Sequence, residues 1–167
     1  MAEPPRFVPV PVAELVPHEP PMLLVDELLE WCPERARVRA TIRAGGPFVS
    51  GGRMPATILL EYMAQAIAVA EGMAERQGGA KQGGAKQGGA KRDEHAVGLL
   101  LGTRDLELRV DALAVGDRLD LRVVREASDG KLARYACTAH RADDLRDEPL
   151  ALASITVMIT SADELKS

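Results

Sequence analysis

Aromatic residues are scarce in this chain. They make up 3% of its 167 residues, although 46% are apolar. A core must therefore be built from Leu, Val, Ala and Ile. Positive charge is not in excess either: the formal net charge is −4, and the three repeat lysines (Lys81, Lys86, Lys91) make the remainder look less acidic than it is. A whole-chain electrostatic case for binding nucleic acid is thereby excluded. Cysteine appears only at Cys32 and Cys137, far apart and without metal-ligand spacing, which reads as two reduced, buried thiols. No stretch reaches the roughly 20 apolar residues of a membrane span. The longest attempt is broken by Glu61, Gln65 and Glu71. The opening MAEPPRFVPVPV lacks the basic and apolar regions of a secretory signal, so a cytoplasmic location is expected. There is no HExxH, no serine nucleophile elbow and no GxGxxG in strand context, so neither metal nor cofactor is implied.

What the chain does have is a long apolar segment, Met54 to Arg76, that reads as a helix with almost no polar side. Such a helix belongs in a core. It nevertheless carries Glu61. A carboxylate in an apolar setting is unfavourable by several kcal/mol unless it is paired or protonated. Either Glu61 meets a polar partner, or it is kept as a working proton donor. Thr57, Glu61 and Gln65 fall at i, i+4 and i+8 and form one polar stripe. Ala56 and Thr57 sit in the first turn, where free backbone N–H groups suit a carbonyl oxygen. Donors there could polarise a carbonyl while a carboxyl one turn on moves a proton.

Around the helix the pattern is that of strands. Residues 1–21 are proline-rich and allow one short turn near Val12–Leu15. Met22–Trp31 reads as an apolar strand. Arg35–Arg43 alternates, with Ala36, Val38, Ala40 and Ile42 on one face and arginines on the other. That arginine face is either a landing patch for an acidic partner or an ordinary solvated strand. The glycine-rich loop Gly45–Arg53 leads to Pro55, which suits a first helical turn. The helix should fade at Gly72 and stop by Gln77. Residues 77–91 are three copies of QGGAK and read as a flexible surface loop before the third strand. Four more strand-like runs follow, Val97–Val110, Asp117–Glu126, Leu132–His140 and Pro149–Thr160, separated by turn signals such as Ser128-Asp129-Gly130. One buried helix beside an antiparallel sheet predicts an α+β domain over residues 1–167, with the sheet curled around the helix. Of the three histidines, His18 lies between prolines, His95 follows the repeat, and His140 ends a strand and reads as exposed.

The segments PHEPPMLLVDELLE and LLEYMAQ resemble the PHRxPxLLxD and E-x-x-A-Q motifs of the 3-hydroxyacyl-acyl-carrier-protein dehydratases. The stretch from Gly98 to Leu121, GLLLGTRDLELRVDALAVGDRLDL, is similar to the strands that follow their helix. The resemblance implies a hotdog fold, a curved antiparallel sheet wrapped around one long central helix. It also implies a dimer with acyl tunnels between subunits. In that family a loop histidine and an acid on the partner's helix remove water from a 3-hydroxyacyl thioester. Glu61 stands in the acid's place. Where the family reads roughly GHFPxxPxxPG, this chain reads VSGGRMPAT: Pro55 matches, the histidine is missing, and Ala56 replaces a glycine. The departure matches a divergent branch from gene clusters for aryl polyenes and related lipids.

These readings predict a dehydratase on acyl-carrier-protein or coenzyme A thioesters, with Glu61 as acid and His18 as base. Ala56, Thr57 and Gln65 would contact substrate. The alternatives are a non-catalytic hotdog subunit that binds acyl chains or pairs with an active homologue, and an acyl-thioesterase. A homodimer or a heterodimer with a related subunit is expected, with no nucleic acid and no membrane as partner.

Overall fold

Alternation in the second strand organises the sheet. The computed structural model describes residues 10–81, 96–161 and 164. In it Ala36, Val38 and Ala40 of β2 (Arg35–Thr41) are buried, and the arginines between them point away from the core. β2 lies between β1 (Val25–Cys32) and β6 (Arg118–Asp129), antiparallel to both. The sheet continues through β7 (Leu132–Arg141) and β8 (Pro149–Ser161) to β4 (Ala96–Leu108), giving the order β1-β2-β6-β7-β8-β4. The turn between β6 and β7 uses Gly130 at φ +57, a conformation that glycine adopts without strain. Two short strands, β3 (Arg53–Pro55) and β5 (Ala112–Ala114), pair separately.

The helix α1 (Leu59–Lys81) packs against all six strands of the large sheet. A single rod can reach six strands only if the sheet curls around it. Bulges in β1 and β4 help that bending. Leu59, Met63, Ala66, Ile67 and Val69 meet a floor that includes Leu119, Leu121, Tyr135 and Ile155. Burying each large apolar side chain there contributes about 1.5–3 kcal/mol. Both cysteines are buried and free.

The helix differs from expectation at both ends. It does not begin at Met54, because β3 pairs with β5 and holds Arg53–Pro55 extended. A 3-10 turn, Ala56–Ile58, intervenes. At the far end the helix runs through the first QGGAK copy to Lys81 rather than stopping by Gln77. The other copies, at 82–91, and His95 lie outside the described residues. Gly72 is no terminator. The carbonyl of Leu15 lies so close that a Cβ at residue 72 would sit 2.0 Å from its oxygen. Glycine is there because the N-terminal segment packs against the helix backbone.

Three arginines of that face pair within the chain. Arg37 pairs with Glu30 at 2.7 Å and with Asp120 at 3.3 Å, Arg39 reaches Asp120 at 3.3 Å, and Arg43 pairs with Asp26. His140, expected to be exposed, is buried. The loop after β7 folds back over it. Its Nδ1 donates to the carbonyl of Asp147 at 3.1 Å, and its Nε2 accepts from the Thr138 hydroxyl at 2.9 Å. The neutral ring is fully partnered. Burial, then the Arg122 guanidinium, pushes its pKa below the usual value.

Candidate functional site

His18 and Glu61 are 43 positions apart in the chain, and the packing of the N-terminal segment brings them together. A 3-10 turn at Val12–Glu14 buries Val12, Leu15 and Val16 against the core. Leu15 abuts Gly72, and Glu14 pairs with Arg76 at 2.9 Å. Three residues beyond Leu15, His18 arrives over the first half of α1. Its Nε2 lies 3.8 Å from Glu61 Oε1. That is ion-pair range rather than a hydrogen bond, and it leaves room for a proton to be exchanged with a third group. His18 Nδ1 is buried, with no hydrogen-bond partner among the described residues.

Gln65 is wholly buried and holds this arrangement in place. Its Oε1 accepts from the N–H of Leu24 at 2.9 Å. Its Nε2 donates to the carbonyl of Met22 at 2.8 Å and to Glu61 Oε1 at 2.9 Å. Both amide hydrogens are thus used by the protein itself. Gln65 ties the chain before β1 to the helix and orients the carboxylate, where a substrate contact was expected. Ala56 is likewise engaged: it is buried, and its N–H donates to the carbonyl of Asp111 at 2.9 Å. Thr57 is exposed on the 3-10 turn. Because that turn is tighter than an α-helix, the stripe drawn from Thr57 to Gln65 holds in the structure for Glu61 and Gln65.

Glu61, expected in an apolar setting, meets solvent in part. In this chain its side chain is 38% exposed and His18 is 30% exposed, and both open onto a cleft of about 130 Å³. Ala64 and Ala68 form its floor, and Leu100, Val157 and Ile159 form the facing wall. Glu61, Ala64, Ala68 and Glu71 are spaced along one helix face, and all four are half-buried. This stripe faces the cleft, while the residues around it are buried in the sheet. A second cleft, about 170 Å³, lies under the glycine-rich loop and is mostly apolar, with Thr41, Arg43 and Tyr62 as its polar members.

Sequence reasoning missed the cluster at Glu71. Its Oε1 accepts from Arg125 Nη2 at 2.6 Å and from the Tyr135 hydroxyl. Arg125 Nε also donates to the Tyr135 oxygen at 3.1 Å, and its guanidinium carbon is 5.7 Å from the ring centre. Burial first, and then the Glu71 carboxylate, raise the Tyr135 pKa well above the phenol range. The available signal was a second acid on the same helix face, ten residues after Glu61.

A long helix held by a curled antiparallel sheet, with an imidazole and a carboxylate meeting at a cleft beside it, defines a hotdog-fold protein of the dehydratase-like kind. The chain belongs to the ApeP-like family, ApeP dehydratase, which it matches over residues 10–166. Among solved structures it is similar to a chain of the dehydratase heterocomplex ApeI:P from Xenorhabdus doucetiae, with 23% identity, TM-score 0.77 and coverage of 96% of this chain and 97% of that one. It is also similar in fold to Cj0977 from Campylobacter jejuni, at 16% identity, TM-score 0.58 and coverage of 93% and 91%. A hypothetical thioesterase from Streptococcus pneumoniae, solved with coenzyme A, aligns at 10% identity and TM-score 0.54 over 81% of this chain and 85% of that one. No curated protein matches the chain. Among the described residues, no helix is long and apolar enough to cross a membrane.

Proposed function

We propose that the chain dehydrates 3-hydroxyacyl thioesters in polyketide-type biosynthesis, with His18 and Glu61 as its acid–base pair. The observation that carries this reading is the 3.8 Å separation of His18 Nε2 and Glu61 Oε1 at an apolar cleft. His18 takes the proton from the carbon next to the thioester carbonyl. The electron pair forms the new double bond, and the C–O bond to the hydroxyl breaks. Glu61 gives that oxygen a proton, and water leaves. Proton return from His18 to Glu61 resets the pair. Gln65 keeps Glu61 aimed, and the cleft takes the acyl chain.

The thioester is carried by an acyl carrier protein or coenzyme A, and the working unit is a hotdog dimer, with a related subunit as partner. Strand β4 supports this. It ends the sheet, so its outer edge is unpaired among the described residues, and Leu100, Leu101 and Leu106 are exposed on it. Such an edge invites another chain. A subunit seated there would also shield the cleft and Glu61 from water.

Mass spectrometry of a 3-hydroxyacyl carrier protein, incubated with the pure chain alone and with a related hotdog subunit, tests the proposal. A loss of water to the 2-enoyl product is expected. Release of free thiol would instead mark a thioesterase. Turnover that appears only on mixing, and survives Glu61→Gln in this chain, would make it a non-catalytic subunit.

A further inference from the structure

The cleft that starts at His18 and Glu61 does not end on an apolar wall. Glu71 lines it too, ten residues and about 15 Å further along the helix. Between the two acids everything the cleft exposes is small or apolar: Ala64, Ala68, Leu100, Val157 and Ile159. The Glu71 side chain is only 13% exposed, and it lines the cleft. Its Oε1 is doubly occupied by Arg125 and Tyr135, both approaching from the sheet. Its Oε2 accepts no hydrogen bond among the described residues. Two donors from the sheet hold one oxygen of the carboxylate, and the other is left as a free acceptor on a residue that lines the cleft.

We propose that Glu71 makes this end of the cleft a specificity site for the distal end of the acyl chain. It selects chains that end in an O–H group over chains that end in methyl. The inference rests on the acyl-thioester reading of the cleft given above. A terminal hydroxyl donates to Glu71 Oε2 and replaces the water it displaces. A terminal methyl strips that water and offers nothing, leaving a buried carboxylate oxygen unsatisfied. Sites built to bond a substrate hydroxyl reject the analogue that lacks it far more strongly than apolar pockets reject a missing methylene. Arg125 and Tyr135 act through Glu71 as positioning residues. The separation of the two carboxylates sets the chain length at which the preference is greatest.

The test uses non-hydrolysable pantetheine amides, so binding is read without turnover. Paired alkanoyl and ω-hydroxyalkanoyl amides from octanoyl to tetradecanoyl are titrated into the full chain, alone and with its hotdog partner. At the best length the ω-hydroxy amide should bind at least about tenfold tighter. Glu71→Leu should erase or invert that ratio. If this variant fails to fold, Glu71→Gln, of the same shape but uncharged, should cut the ratio at least about threefold. Equal binding of the two series by the wild type, or a ratio that survives Glu71→Leu, would overturn the proposal. A retained ratio in a protein that forms no enoyl product would sink the dehydratase reading and leave this site standing. If neither amide binds, both fail.

Discussion

Two glutamates on one helix face meet opposite fates. Glu61 sits near the start of α1, more than a third exposed, touched by one amide and faced by one imidazole at 3.8 Å. Glu71 sits ten residues on, nearly buried, gripped by a guanidinium at 2.6 Å and a phenol. The helix is the same and so is the side chain. The difference comes from what the sheet and the N-terminal segment bring opposite each one. A loosely held carboxylate beside a base can change protonation during a reaction. One locked under Arg125 and Tyr135 keeps its place. A shared helical pattern therefore predicts position but not role.

One substitution at each site sharpens this contrast. Glu61→Gln should lower enoyl formation by about 100-fold or more, the range for losing a general acid. Its unfolding free energy should stay within about 0.5 kcal/mol of the wild type, because an amide of the same shape replaces a half-exposed carboxylate and can still accept from Gln65. Tyr135→Phe should do the reverse in kind, lowering stability by about 1–3 kcal/mol through a lost bond to a charged group. Urea unfolding of both variants, alongside their turnover, checks the pair. Equal stability losses would erase the distinction between a working and a structural acid.

Gly72 links the two regions. It lies next to Glu71 and against Leu15, whose segment delivers His18 to Glu61. Gly72→Ala forces a methyl into the Leu15 carbonyl. The fold should lose about 1–3 kcal/mol, as overpacked sites do, although alanine is the better helix former. Activity should fall further than stability explains, because His18 moves with that segment. A stabilised, fully active Gly72→Ala would mean that the N-terminal segment does not position the histidine.

The smallest effect lies far from both acids. His140 is neutral and buried, with its pKa held down. In the unfolded chain it takes up its proton near pH 6.5, before the folded form can. The unfolded state then binds more protons, so stability falls as pH drops below about 6.5 and is fully present above it. Thermal melts from about pH 7.5 down to about 5.5 should show this decline, and His140→Gln should flatten it. An unchanged slope in that variant would assign the decline to other groups.

Much of this architecture was legible in the chain. The alternation in Arg35–Arg43 identified β2 and its buried face, because a two-residue period has one structural meaning. Glu61 stood out because one acid in an apolar helix must be accounted for. Other features depend on contacts between distant residues. Gly72 read as a weak point in the helix because its reason, the Leu15 carbonyl, lies 57 residues earlier. Glu71 meets Arg125 and Tyr135 on two different strands, which no local pattern announces. β3 and β5 are three residues each, too short to show a period. Gln65 is legible as a polar residue on an apolar helix, but only the fold reveals that its amide is spent on Met22, Leu24 and Glu61.

The central claim is that His18 and Glu61 act as one unit, and a double-mutant cycle on kcat/KM tests it. His18→Gln, Glu61→Gln and the combined variant are compared on a 3-hydroxyacyl carrier protein, with the hotdog partner present. If the pair shares one proton-transfer task, the double variant loses little more than the worse single one. Losses that multiply, or a His18→Gln enzyme as fast as the wild type, would show that the two groups do not work together.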